Sequence, residues 1–142
     1  MNNILQLFIP KVSNREGLIF VDAGISAGFP SPADDFKEAR ISLDEELISN
    51  KEATFFARVR GQSMLDAGLE DNDLIVIDRS IDPENNKIAV CFLDGEFTVK
   101  RLKVKDNQIW LQPENPEYPS IKITEENTFI IWGIVTSVIK RV

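Results

Sequence analysis

The chain has 142 residues, with 16 lysines and arginines against 23 aspartates and glutamates, a formal net charge of −7, one cysteine and no histidine. These counts exclude a Ser-His-Asp or Cys-His catalytic site, a structural zinc site and an intrachain disulfide, and we expect no metal or cofactor. The length suits one domain with a real core. No long apolar run or signal sequence is present, which predicts a soluble, cytoplasmic protein without a membrane segment. An acidic chain without a basic block is also expected to be a poor stand-alone nucleic-acid binder, with no direct sequence-specific DNA binding.

Residues 1–40 are predicted to form an extended, flexible N-terminal arm. Their apolar residues form two short stretches, Ile4–Ile9 and Leu18–Val21, without a sustained period. Glycine and proline punctuate the rest of this region, as is typical of loops. Residues 41–142 carry a different pattern and are predicted to form one β-rich domain.

That domain is predicted to begin with a short helix from Leu43 to Ile48, with Ser42 as its N-cap and carboxylates at its positive end. Runs of β-branched and aromatic residues then predict seven strands. Asp94-Gly95 between two of them is a hairpin signal, and Gly133 in the last run predicts a bulge or bend. The predicted strands are Ala53–Arg60, Asp73–Asp78, Lys87–Leu93, Glu96–Val104, Gln108–Leu111, Ser120–Ile123 and Thr128–Ile139. Short strands with regular turns indicate a mainly β barrel or sandwich.

The segment Gly61-Gln62-Ser63-Met64 lies between two predicted strands and begins a short, potentially helical stretch. A serine at such a position is most often only a helix cap. The functional interpretation is a nucleophile whose neighbouring backbone N–H groups stabilise an oxyanion at the positive end of a helical turn. The local sequence leaves both interpretations open.

Lys100 is the candidate partner of this serine. Alternation in the strand Glu96–Val104 puts Lys100 on one face with Thr98, Leu102 and Val104. Burial beside Leu102 and Val104 would lower the pKa of Lys100 and could supply a neutral amine as general base. The alternative is a surface lysine whose stem covers apolar neighbours while its ammonium reaches water. A Ser-Lys pair is a known solution to acyl transfer without histidine.

The third motif is the pair Ala27-Gly28, which Pro30 and Pro32 follow. A small, unhindered peptide of this kind could enter a tight cleft, with the prolines stiffening the chain after it. A plain linker has the same composition.

Together, the three motifs resemble the LexA/UmuD family of self-cleaving Ser-Lys peptidases. Ala27-Gly28, Ser63 and Lys100 keep the order of that family with nearly equal intervals between them. The segments GFPSPAD from Gly28, GQSM from Gly61 and DGEFTVK from Asp94 are similar to the UmuD branch in particular. The resemblance runs from about residue 27 to the C-terminus.

The resemblance implies a fold and a site. The fold would be the LexA/UmuD C-terminal type, with short, twisted antiparallel sheets behind an extended arm, and residues 41–142 would form the peptidase and dimerisation domain. Ser63 would be the nucleophile and Lys100 its general base. Ala27-Gly28 would be the scissile bond, and the backbone N–H groups of Ser63 and Met64 would receive the oxyanion.

The resemblance also implies partners. The protein would be a homodimer whose cleavage is promoted by a RecA–single-stranded DNA filament. The trimmed form would act with a UmuC-type DNA polymerase in error-prone translesion synthesis during the SOS response. The alternatives are a non-catalytic polymerase or RecA adaptor, a LexA-like repressor fragment, and a membrane signal peptidase. The acidic, Gly/Pro-punctuated arm disfavours the repressor, and the lack of a membrane anchor disfavours the signal peptidase.

Three other features are expected to be structural. Cys91 alternates with apolar residues and is expected to be a small buried side chain. Asp71-Asn72-Asp73 lacks the glycine and glutamate of a calcium loop and is expected to be a solvated turn. Trp110 and Trp132 are expected to lie in the core.

Overall fold

A computed structural model describes residues 6–11, 18–21, 28 and 38–142. Within these ranges the protein is mostly β, which confirms the predicted class. Helix α1 spans Leu43–Leu47, and 3₁₀ turns span Lys51–Ala53 and Leu65–Ala67. The ten strands are β1 (Gln6–Phe8), β2 (Leu18–Val21), β3 (Glu38–Ile41), β4 (Thr54–Arg58), β5 (Leu74–Asp78), β6 (Ile88–Leu93), β7 (Glu96–Lys105), β8 (Gln108–Gln112), β9 (Ile121–Lys122) and β10 (Phe129–Ile139). None of the helices in the described ranges is long and apolar enough to cross a membrane.

The described residues form two compact units. The larger contains the residues up to Pro10 together with Asn50–Val142, and the smaller lies within Lys11–Ser49. In the larger unit, eight antiparallel strands form one sheet in the order β1-β4-β5-β10-β6-β7-β8-β9. The smaller unit contains the antiparallel pair β2–β3 and helix α1.

Both apolar stretches of residues 1–40 contribute paired strands, where the sequence predicts an arm without regular elements. Leu7 in β1 lies opposite Ala57 in β4, and Phe20 in β2 lies opposite Ala39 in β3. Three- and four-residue strands are too short to show a period. The partner of β1 is also far away along the chain, so local pattern could not reveal the pairing.

The predicted helix and turns are confirmed. The Ser42 side chain accepts a hydrogen bond from the Glu45 N–H at 3.5 Å and caps α1. Asp94 and Gly95 both have positive φ, 48° and 91°, between β6 and β7, as a two-residue type I′ hairpin requires. The register between β10 and β6 shifts between Ile131 and Gly133, which is the predicted bulge.

Strands β6 and β7 have a buried cluster on each face, because cross-strand pairs alternate in direction along the ladder. Val90 lies opposite Val99 and contributes to the first cluster, whereas the next pair, Ala89 and Lys100, points to the other face. The first cluster comprises Ala57, Val59, Met64, Leu69, Ile75, Ile77, Val90 and Val99. The second comprises Ala89, Cys91, Leu93, Leu102, Leu111 and Ile134. The side chains of Thr98, Val99 and Lys100 in β7 are therefore buried, whichever face they point to.

Candidate active site

Lys100 lies in the middle of β7 on the face of the second cluster, and only 2% of its surface is exposed. Its cross-strand neighbour is Ala89, and the next pair on this face is Cys91 and Thr98. The alternative of a surface lysine is therefore wrong, because the ammonium cannot be solvated from this position. One expected neighbour is also wrong: Val104 is 50% exposed and does not bury the lysine, whereas Leu102 is buried.

The Lys100 amine contacts three oxygen atoms. Nζ lies 3.1 Å from Ser63 Oγ, 2.7 Å from Thr98 Oγ1 and 3.1 Å from the Val99 carbonyl oxygen. The carbonyl can only accept, so it takes one N–H. If Thr98 Oγ1 takes another, a neutral amine has its single lone pair left for the Ser63 hydroxyl. The geometry fits a proton transfer from Ser63 Oγ to Lys100 Nζ.

Burial makes the neutral amine accessible near neutral pH. Desolvation lowers the pKa of Lys100 from 10.5 to about 8. Burial also raises the pKa of the Cys91 thiol to about 12, so this group is an uncharged thiol at the pH values of interest. Cys91 is therefore buried as expected, and it places no negative charge beside Lys100.

Ser63 lies in the loop between β4 and the 3₁₀ turn Leu65–Ala67, and its side chain is fully buried. Gly61, two residues earlier, has a φ of 94°, which favours glycine, and its N–H donates to Asp71 Oδ1 at 2.9 Å. The Gln62 carbonyl accepts a hydrogen bond from Asn115 Nδ2 at 2.8 Å. The backbone before the serine is thus fixed by side chains from two other loops.

The backbone after Ser63 is fixed as well. Met64 is fully buried in the first cluster, and its carbonyl accepts hydrogen bonds from the N–H groups of Ala67 and Leu69. The Asp66 N–H donates to the Glu114 carbonyl at 2.7 Å. Among the residues that the structure describes, no backbone acceptor receives the Met64 N–H. This donor, next to Ser63, is available for an incoming oxygen atom.

The predicted scissile pair is only partly within the described ranges. Ala27 lies outside them. Gly28 is exposed, and no heavy atom of the described residues lies within 4 Å of the position that a Cβ would occupy there. It belongs to the Lys11–Ser49 unit, whereas Ser63 and Lys100 belong to the larger one.

Several contacts of the candidate site come from residues that were not predicted to belong to it, among them Thr98 and Asn115. Strand alternation puts Thr98 on the face of Lys100, but its hydrogen bond to Nζ needs the folded geometry. Asn115 is far from Ser63 in sequence and carries no motif, so no sequence signal indicates it. The described residues contain no group of three or more cysteine and carboxylate side chains placed to hold a metal ion.

The family model described as Peptidase S24-like matches residues 19–136, a span that includes both Ser63 and Lys100. The chain belongs to the Peptidase S24-like family. It is 42% identical over 115 residues to Protein ImpA of Salmonella typhimurium, covering 81% of this chain and 78% of that protein. Protein SamA of the same species is 44% identical over 115 residues, covering 81% and 79%. The LexA repressor of Ectopseudomonas mendocina is 35% identical over 135 residues, covering 94% of this chain and 66% of the repressor.

These relatives make the chain a UmuD-like member of the LexA/UmuD family, which confirms the predicted resemblance. The observed sheet of short antiparallel strands agrees with the β-rich fold expected of that family.

Proposed function

We propose that this protein is a serine peptidase that cleaves its own Ala27-Gly28 bond, with Ser63 as nucleophile and Lys100 as general base. The contact between Ser63 Oγ and Lys100 Nζ carries the proposal, because both side chains are buried and their atoms lie 3.1 Å apart. Burying an ionisable lysine costs stability, and a purely structural position would be served better by an apolar residue.

The reaction follows from these groups. Neutral Lys100 accepts the Ser63 proton while Oγ attacks the Ala27 carbonyl carbon, which gives a tetrahedral oxyanion. The carbonyl re-forms as the bond between Ala27 and Gly28 breaks, and protonated Lys100 returns the proton to the leaving Gly28 amine. Water then hydrolyses the Ala27 ester on Ser63 with Lys100 again as base, and both side chains return to their starting state.

The oxyanion would be stabilised by backbone N–H groups of Ser63 and Met64. The Met64 N–H lies next to the nucleophile, and the hydrogen bonds around Gln62 and Asp66 fix the orientation of the loop. Donors fixed in advance need no reorganisation as charge develops, and one such donor is typically worth about 10²–10³ in rate.

The biological role that we propose is that of the UmuD branch. Cleavage would be stimulated by a RecA–single-stranded DNA filament in the cytoplasm. The trimmed homodimer would act with a UmuC-type polymerase in error-prone translesion synthesis during the SOS response. Membership of the LexA/UmuD family supports this role. In this proposal residues 1–40 form the arm that is cut, and residues 41–142 form the catalytic and dimerisation domain.

Mass spectrometry of the purified chain, before and after incubation with an activated RecA filament, tests the proposal. We expect a product that begins at Gly28, and no product from Ser63→Ala. Ser120→Ala, which changes an exposed serine, is the matched control and should cleave normally. A product that begins at Gly24, at the similar Ala23-Gly24 pair, would refute the assigned bond. Cleavage by Ser63→Ala would refute the nucleophile, and no cleavage of the unaltered chain would favour the non-catalytic adaptor.

A further inference from the structure

Strands β7, β8 and β9 gather basic residues on one face. Lys103 in β7 lies opposite Trp110 in β8, and Trp110 lies opposite Lys122 in β9. Directly opposed residues share a face, and every second residue along a strand returns to it. Arg101 and Lys105 therefore lie on this face as well. We call these four cations and Trp110 the basic face.

The basic face differs in charge from the chain as a whole. Its cross-strand neighbours Gln108 and Gln112 are uncharged, and no carboxylate belongs to this face within the three described strands. Glu114, just after β8, forms an ion pair with Arg101. The excess positive charge of the basic face therefore comes from Lys103, Lys105 and Lys122. In a protein of net charge −7, this local positive charge comes from alternation within β7, which puts three of the cations on one face, and from the strand pairing that adds Lys122.

Trp110 provides an aromatic surface within the basic face. Both tryptophans are partly buried. Trp132 packs edge-on against Phe55 and Phe97 beside the first cluster, as expected, whereas Trp110 belongs to neither cluster, which is a departure from the sequence expectation. Lys122 Nζ lies 5.9 Å from the centroid of its ring. On the opposite face of β7 and β8, Leu102 and Leu111 are buried in the second cluster, so Trp110 is not needed for the core.

A depression of about 550 Å³ lies beside the Trp110 ring. Lys103 and Lys105 line it, together with the amide side chains of Asn86 and Gln112. Amides can donate and accept hydrogen bonds, and lysines attract anions. The groups around the ring therefore suit a ligand with two parts: an anionic group, which the lysines would bind, and a flat group with polar edges, which the amides would bind.

We propose that the basic face binds single-stranded nucleic acid without sequence specificity. The lysines would contact successive phosphates, and a base would stack on Trp110 with its edge in the depression. Positive grooves combined with aromatic stacking surfaces are the usual means of binding single strands. A duplex hides the flat surfaces of its bases, and an acidic peptide has none to stack. The proposal is independent of self-cleavage.

Fluorescence anisotropy of a labelled oligothymidylate, titrated with the full chain between about 30 and 200 mM salt, tests the proposal. Three phosphate contacts predict a slope of log K against log salt of about −2, since each contact on a single strand contributes about 0.7. Lys105→Glu should weaken binding about tenfold and make the slope shallower by about 0.7. Lys51→Glu is the control: it makes the same change of charge at an exposed lysine in a 3₁₀ turn outside the basic face. It should weaken binding less than about twofold.

Trp110→Ala should weaken binding about tenfold without changing the salt slope, because stacking involves no counterion release. Trp110→Phe, which keeps an aromatic surface, should retain most of the affinity and guards against misfolding of the alanine variant. The proposal would be overturned if Lys105→Glu and Lys51→Glu lost affinity for the oligonucleotide equally, or if Trp110→Ala bound it as tightly as the parent. Displacement of the oligonucleotide by polyglutamate of matched charge would overturn it in favour of an acidic protein partner.

Discussion

Ser63 and Lys100 lie side by side and fully enclosed in the Asn50–Val142 part of the larger unit, whereas Gly28 is exposed in the smaller unit. Helix α1, also in the smaller unit, has no buried residue. Hydrogen bonds with two other loops hold the backbone around Ser63, but no atom of the part of the chain that the structure describes lies within 4 Å of a Cβ placed on Gly28. The proposed catalytic pair is thus assembled in advance, whereas none of the described residues packs against Gly28.

This difference indicates where the rate of cleavage would be controlled. Ser63 and Lys100 already have the distance and the burial that a proton transfer needs. A stimulating partner would then act by increasing the population of chains whose Ala27-Gly28 bond has reached Ser63. It need supply no catalytic group, because a change of about 1.4 kcal/mol in that equilibrium changes the rate about tenfold while docking is rare.

Replacing the base should have the largest effect on the catalytic side of this comparison. In Lys100→Arg the guanidinium stays protonated and cannot accept the Ser63 proton, so we expect the cleavage rate to fall about 10³-fold or more. The rate is measured by mass spectrometry at fixed pH with the filament. Lys87→Arg, at an exposed lysine, is the control and should cleave normally. Normal cleavage by Lys100→Arg would remove the lysine from the mechanism.

Changing the substrate side should have the next largest effect. Gly28→Val places a β-branched side chain at the scissile bond, which must approach Ser63 closely, and we expect cleavage to fall about 10²-fold. Because no atom of the described residues crowds this position, we expect the variant to fold as well as the parent. Gly24→Val, at the neighbouring Ala-Gly pair, should cleave at the parent rate. A Gly28→Val chain that is cut at residue 28 as fast as the parent would contradict the assigned bond.

The burial of Lys100 should also be visible in the stability of the fold. A folded pKa of about 8 against 10.5 means that the folded state penalises the ammonium by about 3 kcal/mol at pH 7. Lys100→Met should therefore raise the free energy of unfolding at pH 7 by up to about 3 kcal/mol. The gain should shrink as pH rises from 8 to 10.5, because the lysine becomes neutral in both states. Urea denaturation at pH 7 and pH 10 measures it, and a gain that does not depend on pH would contradict the lowered pKa.

Thr98 should have a smaller effect, as a positioning residue for Lys100. Thr98→Val keeps the shape but removes the oxygen 2.7 Å from Nζ, and we expect the maximal rate to fall about tenfold. The acceptor also stabilises the ammonium, so its loss should move the midpoint of the pH–rate profile to lower pH. Thr98→Ser should restore both. A fall in rate with an unchanged midpoint, and no rescue by serine, would indicate a purely structural role.

Much of the fold and of the candidate site was predictable, because the strands, turns and motifs concerned are each encoded in a short stretch of sequence. Each predicted strand from Ala53 onward is present, with ends that differ by at most two residues, since strong alternation and turn residues such as Asp94-Gly95 act over short distances. Order and spacing of the Ser63 and Lys100 motifs were likewise sufficient to indicate the family. The second hairpin turn, Asp106-Asn107, also has positive φ at both residues, 54° and 61°, but contains no glycine and was not predicted.

The features that local pattern did not reveal depend on contacts between distant residues. The hydrogen bond from Asn115 to the Gln62 carbonyl joins residues that no local pattern connects. The basic face has this origin only in part: alternation within β7 puts Arg101, Lys103 and Lys105 on one face, but Lys122 meets Trp110 only through the pairing of β9 with β8. Strand alternation alone predicted one buried face of β7, the face of Lys100. The structure has a buried cluster on each face, and these clusters form from residues that are distant in sequence.

The pH dependence of self-cleavage tests the central claim most directly. The rate of the purified chain, without filament or DNA, is measured from pH 6 to pH 10 while circular dichroism monitors the fold. Only neutral Lys100 can accept the Ser63 proton, and its pKa is lowered to about 8. The rate should therefore rise about tenfold per pH unit below that value and level off above it. A flat profile, or one that falls with pH while the fold stays intact, would contradict Lys100 as the general base.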